Sequence, residues 1–385
     1  MLASASRHFR TVALPDSTTA LRAEVRAFLQ EEVAKGTFGP GCDVGMGAHS
    51  PEFSRKLGAR EWIGVTWPRR YGGGERSALD RYVITEELLA FGAPVAAHWV
   101  ADRQSGPLLL RYGTEDQRSF FLPIIARGEC YFAIGMSEPD SGSDLASVRT
   151  IARRVEGGWV ISGRKVWTSH ADHSHYMITL CRTSPVDPSD RHAGLSQLII
   201  DLKLPGVEIR PITLLNGQRH FAEVLLDEVF VPDAMLVGNV GSGWEQVTSE
   251  LALERSGPER FFSTFQLLVA LVDEVQQTRR GELALGELVA RFAAVRRLSI
   301  SVAAALQAGQ APLVEAALVK DVGTRLEHEI TEVARKLVAA EPDLDSGRPF
   351  EALLAQAVLS GPGYTIRGGT SEILRGIVAQ GLGLR

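Results

Sequence analysis

The chain of 385 residues is 45% hydrophobic and 23% charged, the proportions of an ordinary globular protein with enough apolar material for a large core and two or three domains. Its 41 Lys and Arg against 46 Asp and Glu leave a formal charge of -5 with no basic run, so a nucleic-acid or anionic-membrane partner has no electrostatic footprint. Cys42, Cys130 and Cys181 stand far apart in no CxxC pattern, which suggests neither a disulfide framework nor a metal site. The amino-terminal stretch "MLASASRHFRTVALPDS" has no signal-peptide core, and no apolar run is long enough to span a bilayer, so a reducing, cytoplasmic location without membrane is expected.

Residues 1–128 read as helical. "STTALRAEVRAFLQEEV" places Leu21, Val25, Phe28 and Leu29 on one face, with Ser17 or Thr18 as cap. "ALDRYVITEELLAFG" has the same period, and Thr114 with Gln117 three residues later predicts a capping box. Over 129–239 the period changes to two: Glu156-Gly157-Gly158 predicts a hairpin turn, and "HYMITLCRT", "LSQLIIDL", "VEIRPITL" and "AEVLLDEVFVP" continue the strands. Helical periodicity returns over 240–385, with stretches at roughly 243–279, 284–308, 311–341, 349–359 and 370–382 that suit an antiparallel bundle. The expected fold is therefore α+β: an amino-terminal α-helical domain, a central β domain and a carboxyl-terminal helical bundle domain.

Several stretches are candidates for chemistry. In "YFAIGMSEPDSGSD" an apolar run ends in Ser137 and is followed by Gly142 and Ser143 before Asp144. Backbone donors and hydroxyls in such a loop can bond the polar edge of a flat heterocycle while Phe132, Ile134 and Met136 touch its face, although the same residues also make plain turns. In "KVWTSH", Trp167 beside Thr168 and Ser169 can cover a ring, or be simple core. Glu254, in "TSELALERSGPERFF", is the candidate base. Pro258 offers no N–H to the Glu254 carbonyl, so a kink is predicted there. Arg255 and Arg260 are either anion ligands or partners of Glu250, Glu254 and Glu259. His98, Trp99 and Arg103 share one helical stretch, where a histidine is more often a satisfied core or surface residue than a catalyst. No dinucleotide glycine fingerprint, HExxH or GxSxG occurs.

Four stretches, in order, resemble the acyl-CoA dehydrogenase family: "GMSEPDSGSD", "KVWTS", "EVLLDEVFVP" and "GGTSEILR". The resemblance implies an α-helical domain, a central β domain and a carboxyl-terminal four-helix-bundle domain around FAD. It also implies that Ile134 to Ser143 contact the flavin, including Met136 and Gly142, with Ser137 near its pyrimidine edge and Ser143 near the thioester ligand. Trp167, Thr168 and Ser169 would hold the flavin's other side, Thr370 and Glu372 would border it, and Gly369 and Arg255 would touch substrate. Many members carry the catalytic glutamate where this chain has Gly368. A subset similar to isovaleryl and long-chain acyl-CoA dehydrogenases places it on a bundle helix before an arginine, as Glu254-Arg255 stands here.

The implied activity is α,β-dehydrogenation of an acyl-CoA or acyl-carrier-protein thioester, with Glu254 as base, the Gly368 N–H as oxyanion donor and an electron-transfer flavoprotein as acceptor. An oxygen-using oxidase or monooxygenase relative and a flavin-binding or non-catalytic partner subunit stand as alternatives. The family's stretches that hold the ADP half of FAD across a subunit contact are not recognisable in "FQLLVALVDEVQQTRRGELAL" or "QAVLSGPGY". The expected assembly is thus a homo- or hetero-oligomer, dimer or tetramer, with a second type of subunit completing the cofactor site in the heteromeric case.

Overall fold

A computed structural model describes residues 11–254, 257–275 and 278–384, with backbone alone at Met46 and 250–254. In chain order the helices are α1 (Ser17–Ala34), α2 (Val44–Gly47), α3 (Pro51–Gly58), α4 (Ala78–Ala90), α5 (Ala96–Val100), α6 (Gly106–Tyr112), α7 (Glu115–Ala126), α8 (Gly243–Glu254), α9 (Phe265–Val275), α10 (Arg279–Gln307), α11 (Leu313–Leu337), α12 (Pro349–Tyr364) and α13 (Ser371–Gly381). The strands are β1 (Phe132–Gly135), β2 (Ile151–Val155), β3 (Gly158–Ser169), β4 (Tyr176–Arg182), β5 (Leu195–Asp201), β6 (Val207–Ile212), β7 (Phe221–Pro232) and β8 (Leu236–Val237). The chain divides into two units, one of residues 1–44, 77–93 and 255–385, the other of 45–76 and 94–254.

The first unit is helical. α1 packs on α4, α4 on α10, and α10 on α11, which also meets α9, α12 and α13. The 3.6-residue period of α1 buries Leu21, Val25, Phe28 and Leu29, as the sequence predicts. Its expected hydroxyl cap is not found: Asp16 is the N-cap and makes no side-chain bond, while the Thr18 hydroxyl donates to the Pro15 carbonyl at 2.7 Å. Ser77 and Asp80 close a capping box on α4. The helix expected over 243–279 is broken. Gly257 is extended (φ -80, ψ 174) and Pro258 opens a 3₁₀ turn over Pro258–Arg260 before α9 begins. Proline at a helix start forfeits no hydrogen bond, so a break satisfies it better than the kink expected from its place in the pattern.

The second unit holds one eight-stranded sheet in the order β6-β7-β3-β2-β4-β5-β8, with β1 parallel to β4. The predicted hairpin joins β2 to β3, with Val155 opposite Gly158 and Gly157 at φ 74, a conformation that favours glycine. β5 is buried from Leu195 to Ile200 rather than on alternate residues, and α8 packs against it, Trp244 and Val247 meeting Leu180, Leu195 and Val148. The Thr114–Gln117 capping box starts α7 as predicted.

His98 on α5 is buried, with Nδ1 2.8 Å from the Ser54 hydroxyl on α3, and burial pushes its pKa down to about 4. It is a satisfied core histidine, neutral in the native state. Between pH 6.5 and 4 the unfolded chain binds a proton here that the native state does not, so stability falls as the pH is lowered through that window. Urea unfolding at pH 5 is expected to show a loss from this group of about 2 kcal/mol relative to pH 7.5, and His98→Gln is expected to remove it. An equal pH step in the variant would show that His98 is not the source.

Candidate active site

In the second unit, the loop after β1 is nailed to β3. The Glu138 carboxylate accepts from the N–H groups of Arg149 (2.6 Å) and Thr150 (2.9 Å) and from Lys165 Nζ (2.8 Å). Lys165 is fully buried and also donates to the Met136 carbonyl at 3.1 Å. Burial pushes the Glu138 carboxyl up, but the ammonium and the backbone donors outweigh it and hold it below its usual range. Leaving either charge without its partner costs on the order of 3–5 kcal/mol, so loop and strand behave as one piece. A further bond, from the Val166 N–H to the Ser137 carbonyl at 2.9 Å, lays "GMSEPDSGSD" beside "KVWTS".

At that point β3 bulges. Lys165 pairs with Val224 and Thr168 with Ala222 on β7, so one extra residue is accommodated, and Trp167 takes φ 59. A left-handed conformation costs a non-glycine residue roughly 1–2 kcal/mol and has to be repaid by the surroundings. It turns the indole outward, 56% exposed, edge-on to Phe221 at 5.9 Å. Thr168 Oγ1 is buried with no hydrogen-bond partner among the described residues. Ile134, Met136, Ser137 and Ser169 are half-buried, while Gly142 and Ser143 are exposed. Apolar side chains, hydroxyls and an outward Trp on a strained bulge fit a flat heterocycle with a polar edge, the isoalloxazine of FAD.

In the first unit, α12 ends at Tyr364 and the chain turns through Thr365–Thr370 into α13. Gly368 and Gly369 both have positive φ, 63 and 96. Thr370 is the N-cap of α13, accepting from the Ile373 N–H at 3.4 Å, and the exposed Glu372 carboxyl is held down by its own N–H and the Thr370 hydroxyl. Lys320 Nζ on α11 donates to the Gly369 carbonyl at 2.9 Å.

The sequence-predicted residues are therefore gathered as two groups, Ile134–Ser143 with Trp167–Ser169, and Gly368–Glu372. Glu254 closes α8; its side chain and all of Arg255 lie outside the described residues. Arg260 is buried and 4.0 Å from Glu259, in line with the ion-pair alternative. Arg103 is buried with its guanidinium 4.6 Å over the Trp99 ring, on a π-helical turn over Ala101–Ser105. Sequence reasoning passed over Glu138 and Lys165, although both lie inside "GMSEPDSGSD" and "KVWTS", and it missed Arg367 and Lys320. No short window marks them: Glu138, Lys165 and Arg367 stand among Ser, Thr, Gly, Pro and other charged residues, and Lys320 is followed by Asp321. Among the described residues no group of His, Cys, Asp and Glu is placed to hold a metal ion, and no helix is long and apolar enough to cross a membrane.

Three family profiles match in order: the acyl-CoA dehydrogenase N-terminal domain over residues 15–129, the middle domain over 133–229 and the C-terminal domain over 241–383. Acyl-CoA dehydrogenase FadE26 of Mycobacterium tuberculosis is 31% identical over 88% of this chain and 90% of its own length. FadE34 of the same organism is 35% identical over 82% of this chain, which spans only 44% of that protein. Among solved structures, the Tcur3481-Tcur3483 steroid ACAD is similar with a TM-score of 0.83 and 29% identity over 98% of this chain and 99% of the other. The chain belongs to the acyl-CoA dehydrogenase family. Members of this family are FAD oxidoreductases, and the fold is the family's three-domain one of helices, sheet and helices.

Proposed function

We propose that this chain oxidises an acyl-CoA thioester to the trans-2-enoyl-CoA, passing electrons to an electron-transfer flavoprotein. The observation that carries the reading is position 368, where many members hold their catalytic carboxylate and this chain has a glycine at φ 63, while Glu254 ends α8 just before an arginine. Losing one carboxylate while holding the other is the pattern of a working enzyme with a relocated base.

An α C–H beside a thioester is a weak acid, so a carboxylate must reach it while donors stabilise the enolate oxygen. Glu254 takes the α proton. The Gly368 N–H donates to the thioester oxygen as charge gathers there, and Gly369, Ser143 and Arg255 contact the substrate. Ile134, Met136, Ser137, Gly142, Ser143, Trp167, Thr168 and Ser169 hold the FAD, with Thr370 and Glu372 at its border. When bound, FAD supplies the acceptor for the hydride leaving the β carbon.

The substrate class is a bulky, steroid-type acyl thioester, a reading supported by the 29% identical steroid ACAD. The paired naming of that protein and the unrecognisable ADP-binding stretches support a hetero-oligomer. The protein works in the cytoplasm. Anaerobic titration of the yellow protein with straight, branched, aromatic and steroid thioesters tests the proposal. At least one is expected to bleach the flavin, and the reduced protein to pass electrons to the flavoprotein faster than to air. A yellow protein that no thioester bleaches contradicts the reading. If the chain is colourless alone, it is co-expressed with a neighbouring homologous subunit before titration.

A further inference from the structure

We propose that Arg367 is a positioning residue for the dehydrogenation, one that locks the Gly368–Gly369 backbone through Asp43 and Ser263 so that the Gly368 N–H is held in place for the thioester oxygen. The inference rests on the oxyanion role proposed for that N–H. Two adjacent glycines at positive φ are the softest backbone a chain can have, and an oxyanion donor acts only when it is aimed before the charge arrives. Something must therefore hold the turn.

The surroundings do so from several directions. The ends of the turn are tied by the Ser371 N–H to the Thr365 carbonyl at 3.0 Å. The Arg367 guanidinium donates to Asp43 Oδ2 at 2.8 Å and to the Ser263 hydroxyl at 2.9 Å, and its carbon lies 5.1 Å above the Tyr364 ring. These partners are themselves fixed. The Asp43 N–H donates to the Ser263 carbonyl at 2.8 Å, and the Ser263 N–H donates to Glu327 Oε1 on α11 at 2.9 Å. Burial pushes the Asp43 and Glu327 carboxyls up while Arg367 pulls both back, with Arg260 adding a smaller pull on Asp43, so the Arg367 guanidinium is the cation that the two acids share. On the far side of the turn, Lys320, 1% exposed, holds the Gly369 carbonyl. Because the peptide unit is planar and trans, drawing that oxygen to Lys320 sends the Thr370 N–H the opposite way. Both ends of the glycine pair are thus pinned by cations, the half-buried Arg367 and the buried Lys320, on rigid supports.

A planar guanidinium presents donors from two nitrogens at a fixed spacing, a geometry that the single nitrogen of an ammonium does not reproduce. Arg367→Met is therefore expected to lower kcat by about tenfold to 100-fold with KM within about threefold, because the lost interaction matters mainly in the transition state. Arg367→Lys is expected to restore part of that loss, and Ser263→Ala, which keeps the ion pair, to cost about threefold to tenfold in kcat. Hydrogen exchange of the 366–370 amides in the FAD-loaded, unliganded protein is expected to quicken at least about tenfold in Arg367→Met, and less in Ser263→Ala. Wild-type kcat in both variants, or exchange across 366–370 as slow as in the parent, overturns the proposal. So does a loss that only tracks the folded fraction. If no thioester reduces the parent protein, the functional reading fails by itself, and the exchange comparison still decides whether Arg367 holds the turn. If Arg367→Met does not fold, Ser263→Ala alone decides the question, by kcat and by exchange.

Discussion

Glu254→Gln is expected to retain FAD and to slow thioester-driven bleaching of the flavin by about 10³-fold, the middle of the range for removal of a general base. The amide is isosteric with the carboxylate and cannot accept the α proton. Since hydride cannot leave the β carbon until the α C–H is being broken, one substitution halts both transfers. Thioester affinity is expected to change little, because the lost interaction belongs to the transition state. Stopped-flow absorbance under anaerobic conditions measures the rate, and equilibrium titration measures the affinity. A variant that bleaches at the parent rate means that another group is the base.

The second large effect is expected at Gly368→Ala, which lowers kcat by about 10²-fold for a different reason. Gly368 sits at φ 63 and Gly369 at φ 96. A Cβ at a left-handed position costs roughly 1–2 kcal/mol, and the turn relieves that strain by moving the N–H proposed as the oxyanion donor. Loss of one such donor costs about 10²–10³ in kcat. No proton acceptor is removed, so the pH dependence of kcat is expected to keep the parent's midpoints while the whole profile drops. A profile whose acid limb moves in Gly368→Ala would mean that the turn bears on the base rather than on the oxyanion.

Much of the fold can be read along the chain because its determinants are local. Thr114 and Gln117 close the box that starts α7, and Gly157 turns the β2–β3 hairpin, each needing only residues a few places away. The break at Gly257 is harder to foresee, since proline in a periodic pattern is compatible with a kinked helix and with a new start. The site divides in the same way. Its hydroxyls, glycines and Trp167 stand out as words in the sequence, but the left-handed turn of Trp167 arises from the register of β3 against β7, which no short window contains. The clamp on Arg367 is less visible still, because Asp43 lies 324 positions away and an arginine in "TIRGG" reads equally well as a surface residue. Lys320 sits in "LVKDVG", where its burial shows only once α11 is packed against the turn.

The central claim, that a carboxylate on α8 removes the α proton, is tested most directly by α-hydrogen exchange with solvent on a thioester with no β C–H to oxidise, such as an arylacetyl-CoA, separating proton from hydride. The FAD-loaded parent in deuterated buffer is expected to wash deuterium into the α position, and Glu254→Gln to leave it unlabelled over the same time. Labelling of the thioester by Glu254→Gln at the parent rate would contradict the claim.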